Sequence, residues 1–353
     1  MAPIIKELKR QEVEFKVCVT AQHREMLDQV LTYFEIVPDY DLDLMVSNQT
    51  LNLLSSKVLK EIDPILVKEK PTLVLVHGDT TSSILVALAS FHRGIKIGHV
   101  EAGLRTYNKK APFPEEMYRQ ITSKLSDFHF APTNNSASNL KKELVPEEAI
   151  FITGNTIVDA LEWSLMKMKS STFSLESASL TKIINTDKKL ILVTGHRREN
   201  FGNGLENICN ALLDIAKNEN IQIVYPVHLN RNVQRSVYNL LKNKNNIFLI
   251  DPVSYSTMLC LMQRSDLIIS DSGGIQEEAP YFGKSVLVTR EITERIEGIS
   301  LNYSILVGTN RERIVSEAKR LLSNPESFSG ISNPFGDGNA AKRIVNILRK
   351  HLC

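Results

Sequence analysis

The sequence predicts an α/β protein built from two doubly wound parallel-sheet domains. Three observations carry that expectation. Short runs of Val, Ile and Leu recur along the whole chain, most of them are followed by a turn signal and a stretch with helical spacing, and 353 residues are enough for about two domains. Apolar runs without polar alternation suit strands buried on both faces, as in sheets whose crossovers are helices.

The elements follow in order. The chain opens on a helix where such a fold opens on a strand: Pro3 suits a first helical turn, and Ile4, Ile5 and Leu8 share one face. A first strand is therefore expected to be missing. Strands are read at Phe15–Thr20, Leu73–His77, Lys96–Val100, Phe128–Phe130 and Ile150–Ile152. The stretch from Ser164 to Lys189 is rich in Ser, Lys and Thr and is the best boundary. Beyond it, strands are read at Leu190–Thr194, Ile221–Pro226, Ile247–Ile250, Leu267–Ser270, Ser285–Val288 and Ser304–Val307. The final run AAKRIVNILRKHL carries Ile344, Val345, Ile347 and Leu348 at helical spacing, a face that needs a surface to cover. The expected domains are 1–165, with a helix 339–353 packing back on it, and 185–338.

Composition narrows the function. Lys and Arg number 42 against 40 Asp and Glu, a balance that argues against nucleic acid or an anionic membrane as partner. No apolar run is long enough to span a bilayer, and Lys6, Glu7, Lys9 and Arg10 stand where a signal peptide would be apolar, so a cytoplasmic protein is expected. Cys18, Cys209, Cys260 and Cys353 are widely spaced, which suits reduced thiols and predicts neither a metal site nor disulfides.

Four segments carry residues suited to chemistry. In VLVHGDTTSS a strand ends at His77 and turns at Gly78, placing Asp79 at a strand's carboxyl end, where open α/β sheets collect ligands; Asp-Thr before a helix is also ordinary capping. In HVEAGLRTYNKKAPFPEEMYRQ, Glu101 directly follows an apolar strand and has no helix start of its own to serve, which favours a functional role. Glu115 and Glu116 open the next helix; for Glu116 favourable charge at a helix N-terminus is explanation enough. Arg105 and Arg119 are the nearby cations expected to hold these carboxylates ionised. LILVTGHRRENFGNG places His196, Arg197 and Arg198 after a strand with Gly202 and Gly204 close behind, a loop able to meet a diphosphate. In DLIISDSGGIQEEAPYFGKSVLV, Ser272, Gly273 and Gly274 open a helix as a phosphate cradle, and Gln276, Glu277 and Glu278 follow where an acid can accept from ribose hydroxyls. His92, His129 and His228 show no partner pattern, and Trp163 reads as a helix packing residue.

With AQHREMLDQVL, VHGDTTSS, HVEAGLRT, FPEEMYRQ, ITGNTIVDAL, VTGHRREN, YPVHLN, LIDPVSY, SDSGGIQEEAP, TERIEG, LVGT and NPFGDG in order along nearly the whole chain, the sequence resembles the bacterial non-hydrolysing UDP-N-acetylglucosamine 2-epimerases. The resemblance implies a GT-B fold of two Rossmann-like domains with the active site in the cleft. It implies a homodimer that interconverts UDP-GlcNAc and UDP-ManNAc, serving envelope polysaccharides, with no cofactor. Carried over motif by motif, it makes Asp79, Glu101 and Glu115 the acid/base candidates and gives His196 to the departing diphosphate. Arg119, Ser272, Gly273, Gly274 and Glu278 would contact UDP, with Glu278 on the ribose.

The departures are specific. The family's first strand and G-T-R-P-E loop have no counterpart before Met1-Ala2-Pro3, Tyr118 stands for Asn, Ser123 for Gly and Ile296 for Pro. A regulatory UDP-GlcNAc site would involve Gln22, whereas Asn48 stands where a basic residue can occur and argues against allosteric control. The competing expectation is a catalytically impaired, UDP-sugar-binding member of the family. A GT-B glycosyltransferase has no reason to place Asp79, Glu101 and Glu115 together.

Overall fold

A computed structural model of the chain describes residues 1–21, 24–44, 46, 49–170, 184–326, 328 and 332–352. The chain divides into two compact units, Met1–Ala160 with Phe335–Cys353, and Leu161–Pro334.

Unit 1 contains a four-stranded parallel sheet in sequence order, β3 (Leu73–His77), β4 (Lys96–Val100), β5 (Phe128–Ala131) and β6 (Ile150–Ile152). Two further strands, β1 (Cys18–Val19) and β2 (Tyr40–Asp41), pair in parallel only with each other among the described residues, so β3 is an edge of its sheet. β1 is shorter than the expected run Phe15–Thr20, and β2 was not foreseen, because Tyr40–Leu44 alternates with aspartates and offers no apolar run. Although unpaired, β1 and β3 share an apolar cluster in which Cys18 and Val74 pack around Ile62, Leu66 and Ala89.

The helices of unit 1 are α1 (Ala2–Arg10), α2 (Arg24–Tyr33), α3 (Leu51–Glu69), α4 (Thr81–His92), α5 (Glu115–Leu125), α6 (Asn134–Lys142) and the first turns of α7 (Thr156–Ser170). Threonines begin three of them: Thr50, Thr80 and Thr133 each accept from the backbone N–H three residues on, satisfying a donor that a helix start leaves open. The last helix of the chain, Ala340–Leu352, belongs to this unit. Its Ile344, Val345 and Leu348 pack with Ile4 and Leu8 of α1 on Val100, Phe128 and Phe130 of the sheet. Each such aliphatic side chain contributes about 1.5–3 kcal/mol when fully buried. Asp159 fixes where this helix starts, accepting from the N–H groups of Ala340 and Ala341 at 3.2 and 2.8 Å.

Unit 2 is a six-stranded parallel sheet. In chain order its strands are β7 (Lys189–Thr194), β8 (Ile221–Pro226), β9 (Ile247–Ile250), β10 (Leu267–Ser270), β11 (Val286–Val288) and β12 (Ser304–Leu306). They lie in the order β12-β11-β10-β7-β8-β9, so the winding reverses between β7 and β10. The connecting helices are α8 (Asn203–Ile215), α9 (Arg231–Leu241), α10 (Tyr255–Arg264), α11 (Gly273–Glu278), α12 (Ile296–Ser300) and α13 (Arg311–Ser323), and the final helix Ala340–Leu352 is α14. Successive side chains of β7 enter opposite cores: Ile191 and Val193 pack under α8, while Leu190 and Leu192 pack with Leu259 and Met262 of α10. That two-sided burial is why these strands read as unbroken apolar runs. No helix among the described residues is long and apolar enough to cross a membrane.

Candidate active site

In unit 1 the carboxyl ends of β3 and β4 lie side by side, because His77 registers with Val100 and the N–H of Gly78 donates to the Val100 carbonyl. Asp79 and Glu101 therefore leave neighbouring strands at the same edge. Gly78 turns the chain with φ +64°, and a Cβ there would stand 3.5 Å from Glu101 Oε1. Glu101 itself is held at φ +65°, an uncommon conformation for a residue with a Cβ and one that clusters at functional sites. Its Oε2 accepts from Asn155 Nδ2 at 3.2 Å and lies 3.8 Å from His77 Nε2.

Asp79 is paired with Arg119, whose Nη2 is 2.5 Å from Asp79 Oδ2 and whose guanidinium is buried. Arg119 thus comes from α5 to meet the carboxylate. Arg105 does not. Its fully buried guanidinium pairs with both oxygens of Glu143 at 2.7 and 2.9 Å and donates to Ser123 Oγ and the Leu104 carbonyl, so it anchors the loop rather than charging the site.

Glu115 opens α5, with Oε2 buried and lacking a hydrogen-bond partner among the described residues. Glu116, expected to act as helix-terminus charge, has another task. Fully buried, it accepts from the N–H groups of Thr106 and Tyr107 at 2.9 and 3.0 Å and from Gln120, tying the polar loop onto α5. The loop's other end is pinned by Gly103, at φ +89°, where a Cβ would fall 2.2 Å from the Ser136 carbonyl oxygen. His99, in β4 and wholly buried, hydrogen-bonds the Gly78 carbonyl at 2.8 Å, and burial pushes its pKa down to about 3. It stays neutral and supports the turn that carries Asp79. His129, read as bland, is likewise buried and bonds the Ser123 carbonyl.

In unit 2, β7 and β10 end where the winding reverses, the crevice where open sheets bind ligands. His196 follows β7. Its ring stacks on His228, centroids 5.2 Å apart, and His228 Nδ1 accepts from the N–H of Asn230. His228 therefore has a partner that no local spacing announced. Asp271, almost fully buried, follows β10 and accepts from the N–H groups of His196 and Arg197.

Ser272 precedes α11, where Gly273 and Gly274 are the first residues. Gly273 lies close under Arg295: an added Cβ would come within 2.7 to 2.9 Å of the guanidinium, which would have to shift. Arg295, which the sequence offered only as part of TERIEG, is held beside this turn by Glu277 at 2.9 Å and by Glu294. Glu277 is thereby committed, and the acid left for other work is Glu278. Burial raises the Glu278 pKa to about 7, opposed by Tyr255, whose hydroxyl donates to Oε1 at 2.6 Å. Gln22 and Asn48, the positions tied to allosteric control, lie outside the described residues. No cluster of three or more His, Cys, Asp or Glu that could hold a metal is found among the described residues.

Comparison with known proteins identifies the family. Residues 6–349 match the model of the UDP-N-acetylglucosamine 2-epimerase family. The enzyme of that name from Salmonella typhimurium is 51% identical over 357 residues, covering 99% of this chain and 95% of the relative; the Campylobacter jejuni one is 51% identical over 99% and 94%. Among solved structures, UDP-GlcNAc 2-epimerase from Neisseria meningitidis bound to UDP-GlcNAc superposes with TM-score 0.96 at 46% identity, over 99% of this chain and 96% of that one. The S. aureus MnaA–UDP structure gives 0.93 at 43%, over 100% and 93%. The fold is GT-B, and the chain belongs to the UDP-N-acetylglucosamine 2-epimerase family.

Proposed function

We propose that this protein interconverts UDP-GlcNAc and UDP-ManNAc without releasing free sugar. C2 of the sugar bears an acetamido group and is not α to a carbonyl, so direct removal and return of its hydrogen would be slow. Elimination avoids the difficulty. A carboxylate takes the C2 proton while the C1–O bond breaks, its electrons leaving with UDP, and a C1–C2 double bond forms in 2-acetamidoglucal. Protonation of C2 from the opposite face, with UDP adding back to C1, completes inversion.

In this reading unit 1 supplies the acid and base, Asp79, Glu101 and Glu115, and unit 2 binds the nucleotide. Arg119 orients Asp79 through their ion pair and contacts UDP. His196 stabilises the departing diphosphate, Ser272, Gly273 and Gly274 offer backbone N–H groups and a hydroxyl to phosphate oxygens, and Glu278 accepts from the ribose. The observation that supports this most is the pairing of Asp79 and Glu101 at neighbouring strand ends, one held by a buried arginine and the other in a left-handed conformation. The binding-only alternative leaves that arrangement without a purpose.

The same reading makes the protein a cytoplasmic homodimer, with twice the 39.7 kDa chain mass in sedimentation. The function is tested by incubating purified protein with UDP-GlcNAc and following products by NMR. UDP-ManNAc is expected; free ManNAc with UDP would make it a hydrolysing enzyme, and unchanged UDP-GlcNAc would overturn the proposal.

A further inference from the structure

Asp271 is more than part of the motif that contains it. Oδ2 accepts from the backbone N–H of His196 at 3.0 Å, from that of Arg197 at 2.9 Å and from Asn200 Nδ2 at 3.3 Å. Asn200 also donates to the Thr289 carbonyl at 2.9 Å, so one buried carboxylate gathers the loops that follow β7, β10 and β11. Its second oxygen, Oδ1, stands 3.5 Å from His196 Nδ1, a small ring rotation from a hydrogen bond. Catalytic hydrogen bonds are often this long before a ligand is bound.

We propose that Asp271 is the positioning residue of His196, holding Nδ1–H so that Nε2 is the atom turned to the diphosphate. The inference rests on the reading of His196 as a diphosphate ligand. A carboxylate accepts only, so it selects the tautomer with the proton on Nδ1 and leaves the Nε2 lone pair outward. When Nε2 takes a proton beside the diphosphate, the ring carries two N–H donors and a positive charge, and Asp271 balances that charge from the buried side. A charge-assisted bond to the phosphate is about twice as strong as a neutral one. The same buried carboxylate fixes the backbone of His196 and Arg197, so ring and loop are positioned together.

Asp271→Asn separates the two tasks. The amide oxygen still accepts from the two backbone N–H groups, but the amide nitrogen now meets Nδ1 and drives the proton to Nε2, removing the charge balance. The measurements are ¹⁵N NMR of the His196 ring in the neutral form, and affinities for UDP and for uridine by calorimetry. The wild type is expected to carry the proton on Nδ1, and the variant is expected to lose about tenfold in UDP affinity with uridine unchanged. Equal losses for UDP and uridine, or a wild-type ring protonated on Nε2, would overturn the proposal and leave Asp271 as a loop anchor. If the variant does not fold, the wild-type tautomer still decides. A wild type that binds no UDP would strike the proposed function instead, and the tautomer measurement would remain decisive for Asp271.

Discussion

The two units use the same architecture, chemistry at the carboxyl ends of parallel strands, and fill it with opposite residue types. At the strand ends of unit 1 stand carboxylates, Asp79 and Glu101, and the turn that carries Asp79 is supported from behind by an uncharged buried histidine, His99. At the strand ends of unit 2 stand an imidazole and a helix start without a side-chain cap, with the buried guanidinium of Arg295 packed beside it, and there the buried carboxylate Asp271 is the support. In the proposed function the groups that exchange protons with the sugar stand in the first, and most of those that hold the anionic leaving group stand in the second. The comparison teaches that in this fold the charge at a strand end can be chosen independently of the scaffold, because Asp79 and His196 each stand beside a buried group of the complementary kind, Arg119 and Asp271.

Substitutions can break that division. The largest effect is expected for Glu101→Gln, which should reduce exchange of the C2 hydrogen by about 10²–10⁴, as for other acid/base groups, while calorimetry shows UDP affinity unchanged. A parallel loss of UDP binding would show that the two tasks are not divided.

Next in size is Gly103→Ala. The new Cβ meets the Ser136 carbonyl at a left-handed φ, which should destabilise unit 1 by about 3 kcal/mol or more. Hydrogen exchange in β3 and β4 reads this directly. Trp163, the only tryptophan, lies in unit 2 and should report an unchanged local transition on urea unfolding.

The units should also answer pH in opposite senses. His99 has a folded pKa of about 3 against an ordinary 6.5, so between those values the unfolded chain binds more protons than the native one. Acidification therefore weakens unit 1, by about 2 kcal/mol from pH 7 to pH 5. Glu278 is raised to about 7 from 4.5, so in that interval the native state holds the extra proton. Stability present at low pH is lost as pH rises, by about 2 kcal/mol from pH 5 to pH 7. Urea midpoints of His99→Gln and Glu278→Gln against the wild type at the two pH values check both slopes, and slopes of the same sign would refute the assignment. The smallest effect is expected for Tyr255→Phe. It removes one hydrogen bond from Glu278, worth about 1 kcal/mol, and should weaken UDP binding about fivefold, as read by calorimetry.

Strand ends were legible because a buried parallel strand followed by a turn is a local pattern, and Asp79, Glu101, His196 and Ser272 each sit within two residues of one. Their partners were not. Arg105 pairs with Glu143, Asp271 braces His196, and Arg295 closes on Gly273, each across tens of residues with no spacing rule to connect them. Glu116 stands in the first turn of α5, as the helix-charge reading has it, but its further task was not legible for a related reason: its partners are backbone N–H groups, which carry no residue signature. β2 escaped because two residues beside aspartates make no hydrophobic run.

The central claim, that a proton is removed from C2 while UDP leaves C1, is tested most directly in deuterium oxide. Wild-type protein given UDP-GlcNAc should build deuterium into C2 of both sugars at equilibrium, and Glu101→Gln should bind UDP yet incorporate far less. UDP-ManNAc formed with hydrogen retained at C2 would contradict the account.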